Sequence, residues 1–200
     1  MNDWLDKARA RLSSSRFTHV QGVVDTALVL AARYRVDQEK AFIAAALHDI
    51  FREKTAAELT ELAGEVGAPL PEEEAATWHG PVAAARLALD FQIHDAEIAG
   101  AIAWHTIGHP EMGPLAQVLF VADAIEPGRG YDGVEKLRLA ASIDLSLAVA
   151  ATADASIEYL LERQLPIAMK TVTLRNKMWR LVDERLRKDY NQSRKSIEGG

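Results

Sequence analysis

The chain has 200 residues, 48% of them hydrophobic, with a formal net charge of −6 and no cysteine. This length and apolar content suit one globular domain that needs no cross-links, and the absence of cysteine excludes disulfides, thiolate zinc sites and cysteine nucleophiles and fits a reducing cytoplasm. The acidic balance argues against a broad nucleic-acid-binding surface, and the apolar runs are too short to cross a membrane.

Every strongly periodic segment predicts a helix, because apolar residues recur at three- and four-residue spacing and no stretch alternates long enough for a strand. Asp37 and Asp95 suit N-caps, and Pro114 suits the first turn of a helix. In chain order, the predicted helices run from His19 to Tyr34, from Asp37 to His48-Asp49, from Thr55 to Gly64, from about His79 through Leu89, from Asp95 to His105, from Pro114 to Asp123, from Asp144 to Arg163 and from Thr173 to Lys188.

Two finer predictions accompany these helices. In the helix that begins near His79, the periodicity places four residues on the inward face: Val82, Ala85, Leu87 and Leu89. The segment from Glu126 to Gly133 is rich in Pro and Gly and predicts a loop. We therefore expect one all-α domain over residues 1–190, followed by a polar, disordered tail over residues 191–200.

Histidines and aspartates stand where the predicted helices start or stop. Imidazole and carboxylate together hold iron, manganese, cobalt and zinc. Neighbouring helical residues point about 100° apart, so His48 and Asp49 can face two different metals, or Asp49 can bridge both. A single histidine is more often an ordinary core or surface residue, and His94 and His109 are expected to be so. The whole set predicts a centre of one or two ions, with six candidate ligands: His19, His48, Asp49, His79, His105 and Asp123.

Six segments, in order, resemble the successive motifs of the YqeK family within the HD superfamily of metal-dependent phosphohydrolases. The H…HD…D pattern alone is moderately specific, whereas the His-Gly-Pro, His-Thr-x-Gly and Ala-Asp-x-Ile-Glu-Pro-Gly-Arg segments in order are strongly specific. The similarity covers about residues 15 to 180. Its segments are Arg16–Val23, Leu47–Asp49, Trp78–Pro81, His105–Gly108, Val121–Arg129 and Thr171–Asn176.

This resemblance implies an all-α HD-domain helical bundle that hydrolyses diadenosine tetraphosphate (Ap4A) symmetrically to two ADP molecules. It implies an iron-type centre, with manganese or cobalt as alternatives, in which His19, His48, Asp49 and Asp123 are the core ligands. His79 and His105 would serve a second metal or contact phosphate. Arg52 stands where the family commonly has lysine, which keeps the charge but adds a bidentate fork.

Further roles follow for the substrate and for the chemistry. Arg52 and Arg129 are candidates for stabilising charge on the phosphates, although Arg129 could equally be a solvated loop residue. Thr106 and Thr171 could donate hydroxyls to phosphate or ribose, and His79 or His105 is the candidate general acid. The predicted catalytic set is Asp49, Arg52, His79, His105 and Arg129; the predicted substrate contacts are His19, Arg52, His79, His105, Thr106, Asp123, Arg129 and Thr171.

Other functions stay open at this stage. HD domains also serve as nucleotidases, dNTP phosphohydrolases, alarmone hydrolases and cyclic-dinucleotide phosphodiesterases, although Gly130-Tyr131-Asp132 is not the Gly-Tyr-Pro motif of one cyclic-dinucleotide group. A non-catalytic nucleotide-binding module would ordinarily have lost a ligand. A stripe of apolar residues on the last helix could form a homodimer surface, although core is favoured: Leu174, Met178, Trp179, Leu181 and Leu186. The expected partner is a small dinucleoside polyphosphate in the cytoplasm, with no nucleic acid and no membrane.

Overall fold

The chain folds into a bundle of α-helices. The structure is a computed structural model that describes the backbone of residues 2–198 and the side chains of residues 3–193. Within that part of the chain there are no strands, which confirms the all-α prediction. The helices are α1 Asn2–Arg9, α2 Ser14–Tyr34, α3 Gln38–Leu47, α4 Ala56–Glu65, α5 His79–Phe91, α6 Ala96–Trp104, α7 Pro114–Ile125, α8 Val134–Ile143, α9 Leu145–Glu162, α10 Met169–Leu181 and α11 Glu184–Glu198, with a short 3-10 helix Ala75–Thr77 before α5.

Side-chain caps set several helix starts where the sequence predicts them. Asp37 accepts hydrogen bonds from the backbone of Glu39 and Lys40, and Asp95 does the same at the start of α6. Thr55 forms a capping box with Glu58, in which each side chain accepts from the backbone of the other residue. These caps satisfy amides that have no partner inside the helix, so they fix where α3, α4 and α6 begin.

Some element boundaries differ from the prediction. α2 begins at Ser14, five residues before His19, because Ser13 caps it. Helix α8 was not predicted; it follows directly after the Pro- and Gly-rich loop. The single last helix expected from Thr173 to Lys188 is two helices, α10 and α11, separated at Val182 and Asp183. The backbone of α11 continues to Glu198, while the domain limit at residue 190 and the disordered tail beyond it stay predictions.

The core lies where five helices meet. α2 packs on α3 and α7, and α6 packs on α3, α5 and α7. α7 is the central helix, since most of its residues are buried on all sides. Beside this group α9 packs on both α8 and α10, and α8 and α9 also contact α7. Helices α2, α3, α5, α6 and α7 therefore surround one interior region, to which each can contribute side chains.

The inward face of α5 differs from the predicted one. Val82 and Leu87 are buried as expected, but Ala85 is exposed and Leu89 is 62% exposed. The inward position between them belongs to Arg86, whose guanidinium pairs with Asp90 and Glu65 and donates to the carbonyl of Leu62. A buried arginine with all these partners is tolerated in the interior. A prediction that places only apolar residues on the inward face of α5 therefore misses Arg86.

The apolar stripe near the C-terminus is mainly core. Leu174 and Met178 are almost fully buried, whereas Leu181 is 62% exposed. Trp179 and Leu186 are half-buried and pack against the core. This confirms the core interpretation for most of the stripe. Between residues 2 and 198, no helix combines the length and the apolar character needed to span a bilayer.

Candidate metal centre

The six predicted ligands lie at characteristic places on five segments. His48 and His105 are the residues that end α3 and α6, and His79 is the first residue of α5. Asp49 follows directly after His48, and Asp123 lies in the last turn of α7. His19 departs from the expected pattern: it lies in the second turn of α2 and not at a helix end.

The structure brings all six side chains together. Their donor atoms form three overlapping groups, within each of which the atoms lie within 4.8 Å of one another. His48, Asp49, His79 and His105 are buried, and the side chains of His19 and Asp123 are only 11% and 21% exposed. We call this set the ligand cluster. The groups are His19, His48 and Asp49; His48, His105 and Asp123; and Asp49, His79 and His105.

Asp49 is the centre of the ligand cluster because its two carboxylate oxygens face different histidines. Oδ2 lies 3.5 Å from His48 Nε2 and 3.7 Å from His19 Nε2. Oδ1 lies 3.3 Å from His79 Nε2 and 3.6 Å from His105 Nε2. One carboxylate thus stands between two pairs of imidazoles, an arrangement suited to bridging two cations.

Three of the four histidines are oriented in the same way. Nδ1 donates to the carbonyl three residues earlier in His48 (Ala45, 2.7 Å), in His105 (Ile102, 2.8 Å) and in His79 (Ala76, 3.2 Å). The last carbonyls of a helix have no partner within it, so a residue that ends a helix can use them. With the proton on Nδ1, each ring directs the lone pair of Nε2 into the cluster.

The ligand atoms fit a metal by their chemistry. His79 Nε2 and His105 Nε2 lie 3.1 Å apart, yet both rings use their Nδ1 protons on carbonyls, so two lone pairs face each other unless a proton or a cation lies between them. Among residues 3–193, His19 Nε2 and His48 Nε2 are buried without an aligned hydrogen-bond partner. Four imidazoles with two carboxylates form a donor set typical of first-row transition metals.

Burial and neighbouring charges set the protonation of the cluster. Burial lowers the pKa of His48 to about 4 and also lowers the pKa of His79. Burial alone would raise the pKa of Asp49, but the neighbouring imidazoles of His48, His105 and His79 hold that pKa well below its usual range. These are the deprotonated forms that a metal requires.

The two remaining histidines respond differently. Burial acts to lower the pKa of His19 and His105, but the carboxylates of Asp123 and Asp49, respectively, outweigh it and raise each pKa. For Asp123, the adjacent imidazole of His19 and nearby positive charge outweigh burial and lower the pKa. Asp123 and Asp49 therefore favour the protonated forms of these two rings.

Three arginines lie near the cluster, and their side chains differ in the contacts that they make. Arg129 is not a solvated loop residue, because its guanidinium donates to the carboxylate of Asp123 (2.6 Å) and to the carbonyl of the same residue (2.9 Å). The guanidinium of Arg52 is exposed and makes no hydrogen bond or ion pair with residues 3–193, although its charge helps to lower the pKa of His79. Arg16, which was not predicted as a site residue, lies 3.0 Å from Asp49 Oδ2. Its position three residues before His19, on the same helical face, was the available signal.

The two predicted threonines differ in position. The hydroxyl of Thr106 lies 3.1 Å from His105 Nε2 and 3.3 Å from His79 Nε2, inside the cluster. The hydroxyl of Thr171 is buried and donates to the carbonyl of Ile107, a contact that ties α10 to the loop after α6. Thr171 thus uses its hydroxyl in the fold, and no contact joins it to the cluster among the described side chains. His94 and His109 lie outside the cluster, as expected.

Sequence reasoning missed one buried carboxylate of this site. Glu126 is 4% exposed and accepts from Nδ1 of His19 at 3.1 Å and from the backbone amide of Gly128 at 2.5 Å. A Cβ on Gly22 would lie 2.5 Å from Glu126 Oε2. The signal that could have found it is a glycine in the middle of α2, one turn after a candidate ligand.

The amino-acid sequence of the chain is similar to those of known proteins. The model of the HD domain family matches residues 16–128. The chain is 33% identical over 161 residues to the symmetrical bis(5'-nucleosyl)-tetraphosphatase of Bacillus subtilis (strain 168), covering 80% of this chain and 87% of that protein. It is also 33% identical over 179 residues to the protein of the same name from Halalkalibacterium halodurans, covering 87% and 94% of the two chains.

A solved structure is similar over nearly the whole chain. It is a crystal structure described as that of a predicted HD superfamily hydrolase involved in NAD metabolism, from Clostridium acetobutylicum. It superposes with a TM-score of 0.85 at 31% identity, covering 90% of this chain and 97% of that one. The similarity thus includes the helices that carry the ligand cluster.

Proposed function

Since the chain belongs to the HD domain family and, within it, to the symmetrical bis(5'-nucleosyl)-tetraphosphatases, we propose that it is a metal-dependent hydrolase that cleaves Ap4A into two ADP molecules. The observation that carries this proposal is the ligand cluster, in which four histidines converge on the two oxygens of Asp49. The reaction adds one water across the central phosphoanhydride bond, so that each half of the substrate leaves with two phosphates.

The metal would be held by the ligand cluster. His19, His48, Asp123 and Oδ2 of Asp49 make up one side, and His79, His105 and Oδ1 of Asp49 make up the other. This division favours two ions with Asp49 as the shared ligand, and we propose iron, with manganese or cobalt as substitutes. When bound, such ions supply a water of lowered pKa and neutralise phosphate charge.

One of the three arginines, Arg52, would bind the polyphosphate. Arg52 has an exposed guanidinium without a partner among the described side chains, close enough to His79 to affect its pKa. Arg16 already neutralises one oxygen of Asp49, and Arg129 holds Asp123 in place. We therefore assign phosphate binding to Arg52 and a ligand-holding role to Arg129, which differs from the phosphate contact expected from the sequence. The hydroxyl of Thr106, at the His79–His105 pair, is the second polar group available to the substrate.

The leaving group needs little assistance from the protein. ADP departs as a stable anion at neutral pH, so a general acid is not obligatory. A ring that binds a metal through Nε2 cannot donate a proton from that atom, so His79 and His105 are candidates for donating a proton to the departing oxygen only when a single ion is bound. Both face Thr106 at the same side of Asp49. The burial of these rings also excludes bulk water from the reacting atoms, which strengthens every charge interaction there.

Cleavage products of the metal-loaded protein test the function. After anaerobic purification and metal analysis, the protein is incubated with Ap4A, with dNTPs, with NAD and with cyclic dinucleotides, and the products are separated by chromatography. We expect ADP as the sole product from Ap4A, lost on chelation. AMP together with ATP would mean asymmetric cleavage, and turnover of another substrate alone would favour another HD hydrolase activity.

Alanine variants connect this activity to the cluster. His48→Ala and Asp49→Ala should abolish hydrolysis and lower the bound metal. His94→Ala is the matched control, since His94 is exposed and lies outside the cluster, and it should retain both properties. Full activity in both cluster variants would contradict the proposal.

The remaining expectations are proposed on the same basis. We propose that residues 1–190 act as one catalytic domain and that the enzyme works in the cytoplasm on small dinucleotides. The support is that the family similarity and the ligand cluster lie within this range and that the substrate named by the relatives is a small molecule.

A further inference from the structure

His19 differs from the other cluster histidines in how its ring is held. His48, His79 and His105 donate through Nδ1 to a carbonyl three residues earlier. His19 lies in the second turn of a 21-residue helix, where the preceding carbonyls already accept hydrogen bonds from the helix backbone. An acceptor for its Nδ1 proton must therefore come from another part of the chain.

Glu126 supplies that acceptor from 107 positions away in the sequence. Its Oε1 lies 3.1 Å from Nδ1 of His19, and its Oε2 accepts from the amide of Gly128. The backbone around it is also fixed, because Arg138 donates to the carbonyls of Ile125, Glu126 and Arg129. Hydrogen bonds therefore hold both the backbone around Glu126 and its carboxylate, so that the carboxylate faces His19 from a fixed position.

Gly22 makes the space that this contact needs. It lies three residues after His19, on the same side of α2, and a Cβ there would be 2.5 Å from Glu126 Oε2 and 3.3 Å from its Cδ. Every other residue type would push the carboxylate away. A glycine inside a helix is destabilising relative to alanine, so a packing reason for it is expected.

We propose that Glu126 is a positioning residue that keeps the proton of His19 on Nδ1 and so directs its Nε2 to the metal, and that Gly22 is present to admit Glu126. The inference rests on the proposed function, because it deepens the description of the same metal site. Carboxylates that accept from a ligating histidine fix its tautomer and raise its basicity. Glu126 would therefore act on the metal through His19 without contacting the substrate.

Metal titration of the stripped protein is the first test, with cobalt(II) alone as the probe and its visible absorbance as the readout. Glu126→Ala should weaken cobalt binding about 10–100-fold. Glu126→Gln should recover part of this loss, because its amide oxygen can still accept from Nδ1. Glu65→Ala is the control, since Glu65 pairs with the buried Arg86 away from the cluster and should leave the affinity within about twofold.

A pair of glycine variants tests the packing argument. Gly22→Ala should displace Glu126 and weaken cobalt binding in the same direction as Glu126→Ala. Gly64→Ala is the matched control: it also adds one methyl to a helical glycine, but nothing lies within 4 Å of the added atom. Cobalt affinity equal to that of the wild type in a folded Gly22→Ala variant would overturn the role assigned to Gly22.

The position of the proton can be read without any metal. In the stripped protein labelled with ¹⁵N-histidine, at a pH high enough for the ring of His19 to be neutral, we expect its signal to show the proton on Nδ1 in the wild type, to keep part of that preference in Glu126→Gln and to lose it in Glu126→Ala. A wild-type His19 with its proton on Nε2, or unchanged cobalt binding in folded Glu126→Ala, would overturn the proposal. If Glu126→Ala does not fold, Glu126→Gln and the ¹⁵N signal give the decision.

These readouts are independent of turnover. If the metal-loaded wild type does not convert Ap4A to ADP, the proposed function fails, whereas metal affinity and tautomer still report on Glu126. If Ap4A is cleaved as expected but Glu126→Ala binds cobalt like the wild type, only the present inference fails.

Discussion

At the scale of single residues, the position of one proton on each histidine decides what the cluster can bind. A ring that donates through Nδ1 offers Nε2 as a ligand, and all four rings have an Nδ1 acceptor in the structure. Three acceptors are carbonyls that helix ends leave without a partner, which explains why ligand residues are found at helix ends. The fourth must be a side chain, and this requirement identifies Glu126.

Arg52 should matter for the substrate and not for the fold. Its guanidinium is exposed and has no partner among residues 3–193, so Arg52→Ala should leave the melting temperature unchanged. Loss of a charged hydrogen bond to phosphate should lower kcat/KM for Ap4A about 10–100-fold, since such bonds contribute about 1.5–3 kcal/mol. Steady-state kinetics measures this, and Arg52→Lys should restore part of the loss.

Arg180→Ala provides the comparison for this prediction. Arg180 is also exposed and without a partner in the described part of the chain, but it lies near the end of α10. It should keep the wild-type kcat/KM. An equal reduction in both variants would indicate a general effect of net charge and would remove Arg52 from the substrate-binding set.

The sequence predicted single residues well where chemistry and motif order agreed. All six candidate ligands come together, because histidine and aspartate next to apolar helix segments are seldom there by chance. Glu126 and Arg16 were missed because their importance depends on contacts with residues 107 and 33 positions away. Thr171 was assigned to the substrate for its position in a motif, but its hydroxyl holds α10 to Ile107.

At the scale of elements, close contact between α5 and α6 keeps His79 beside His105. Gly80 allows this contact: a Cβ there would lie 2.7 Å from the carbonyl of Ile102 and 3.0 Å from Cε1 of His105. Gly80→Ala should therefore destabilise the protein by about 1–3 kcal/mol, as overpacking does. It should also weaken metal binding, because the two rings are pushed apart.

Chemical denaturation and cobalt titration measure the two effects of Gly80→Ala. The control is Gly64→Ala, which meets no atom within 4 Å and should leave metal binding unchanged. Its stability should rise by a few tenths of a kcal/mol, because alanine is the better helix former. A Gly80→Ala variant as stable as the wild type would mean that α5 and α6 are less closely constrained than their contact suggests.

The capping box of α4 predicts a pH dependence. Hydrogen bonds from Lys54 and from the backbone and hydroxyl of Thr55 lower the pKa of Glu58 to about 2. A lowered carboxyl pKa contributes stability that is complete above the unfolded value near 4.5 and is lost as the pH falls through the folded value. Glu58→Gln, which imitates the protonated form, should therefore be less stable than the wild type at pH 7, and the difference should shrink below pH 4.5.

Melting temperatures of the wild type and Glu58→Gln at pH 7, 5 and 3.5 measure this. Glu61→Gln removes a charge from the same helix, but the carboxylate of Glu61 has no hydrogen bond or ion pair among residues 3–193. Its melting temperature should track that of the wild type at all three values. A constant difference for Glu58→Gln would mean that the contacts of Glu58 do not depend on its charge.

The prediction of helices succeeded where local caps and periodicity set them. It failed where tertiary contacts determine which face of a helix is buried or where a helix ends. Asp37, Thr55 and Asp95 fix their helices through backbone contacts two or three residues away, which a sequence displays directly. The inward face of α5 was misassigned because a polar residue, Arg86, occupies it with partners from α4. No glycine or proline marks the break at Val182 and Asp183, so the sequence predicts one helix where the structure has two.

At the scale of the whole molecule, the ligand cluster connects segments that are far apart in the chain. Its ligands come from α2, the end of α3, the start of α5, the end of α6 and the last turn of α7. The unfolded chain cannot present these groups together. A metal that binds the folded state therefore stabilises the whole bundle and not only the site.

Removal of the metal should consequently lower the melting temperature of the entire protein in one transition. At a free metal concentration of 100 times Kd, binding to one site adds about 2.7 kcal/mol to the free energy of unfolding. Scanning calorimetry of chelated and reloaded protein measures the shift. His105→Ala should reduce it, because His105 contributes to two of the three donor groups, whereas His94→Ala should keep it. An equal metal-induced shift in both variants would show that the stabilising ion binds elsewhere, and the link between the cluster and global stability would be lost.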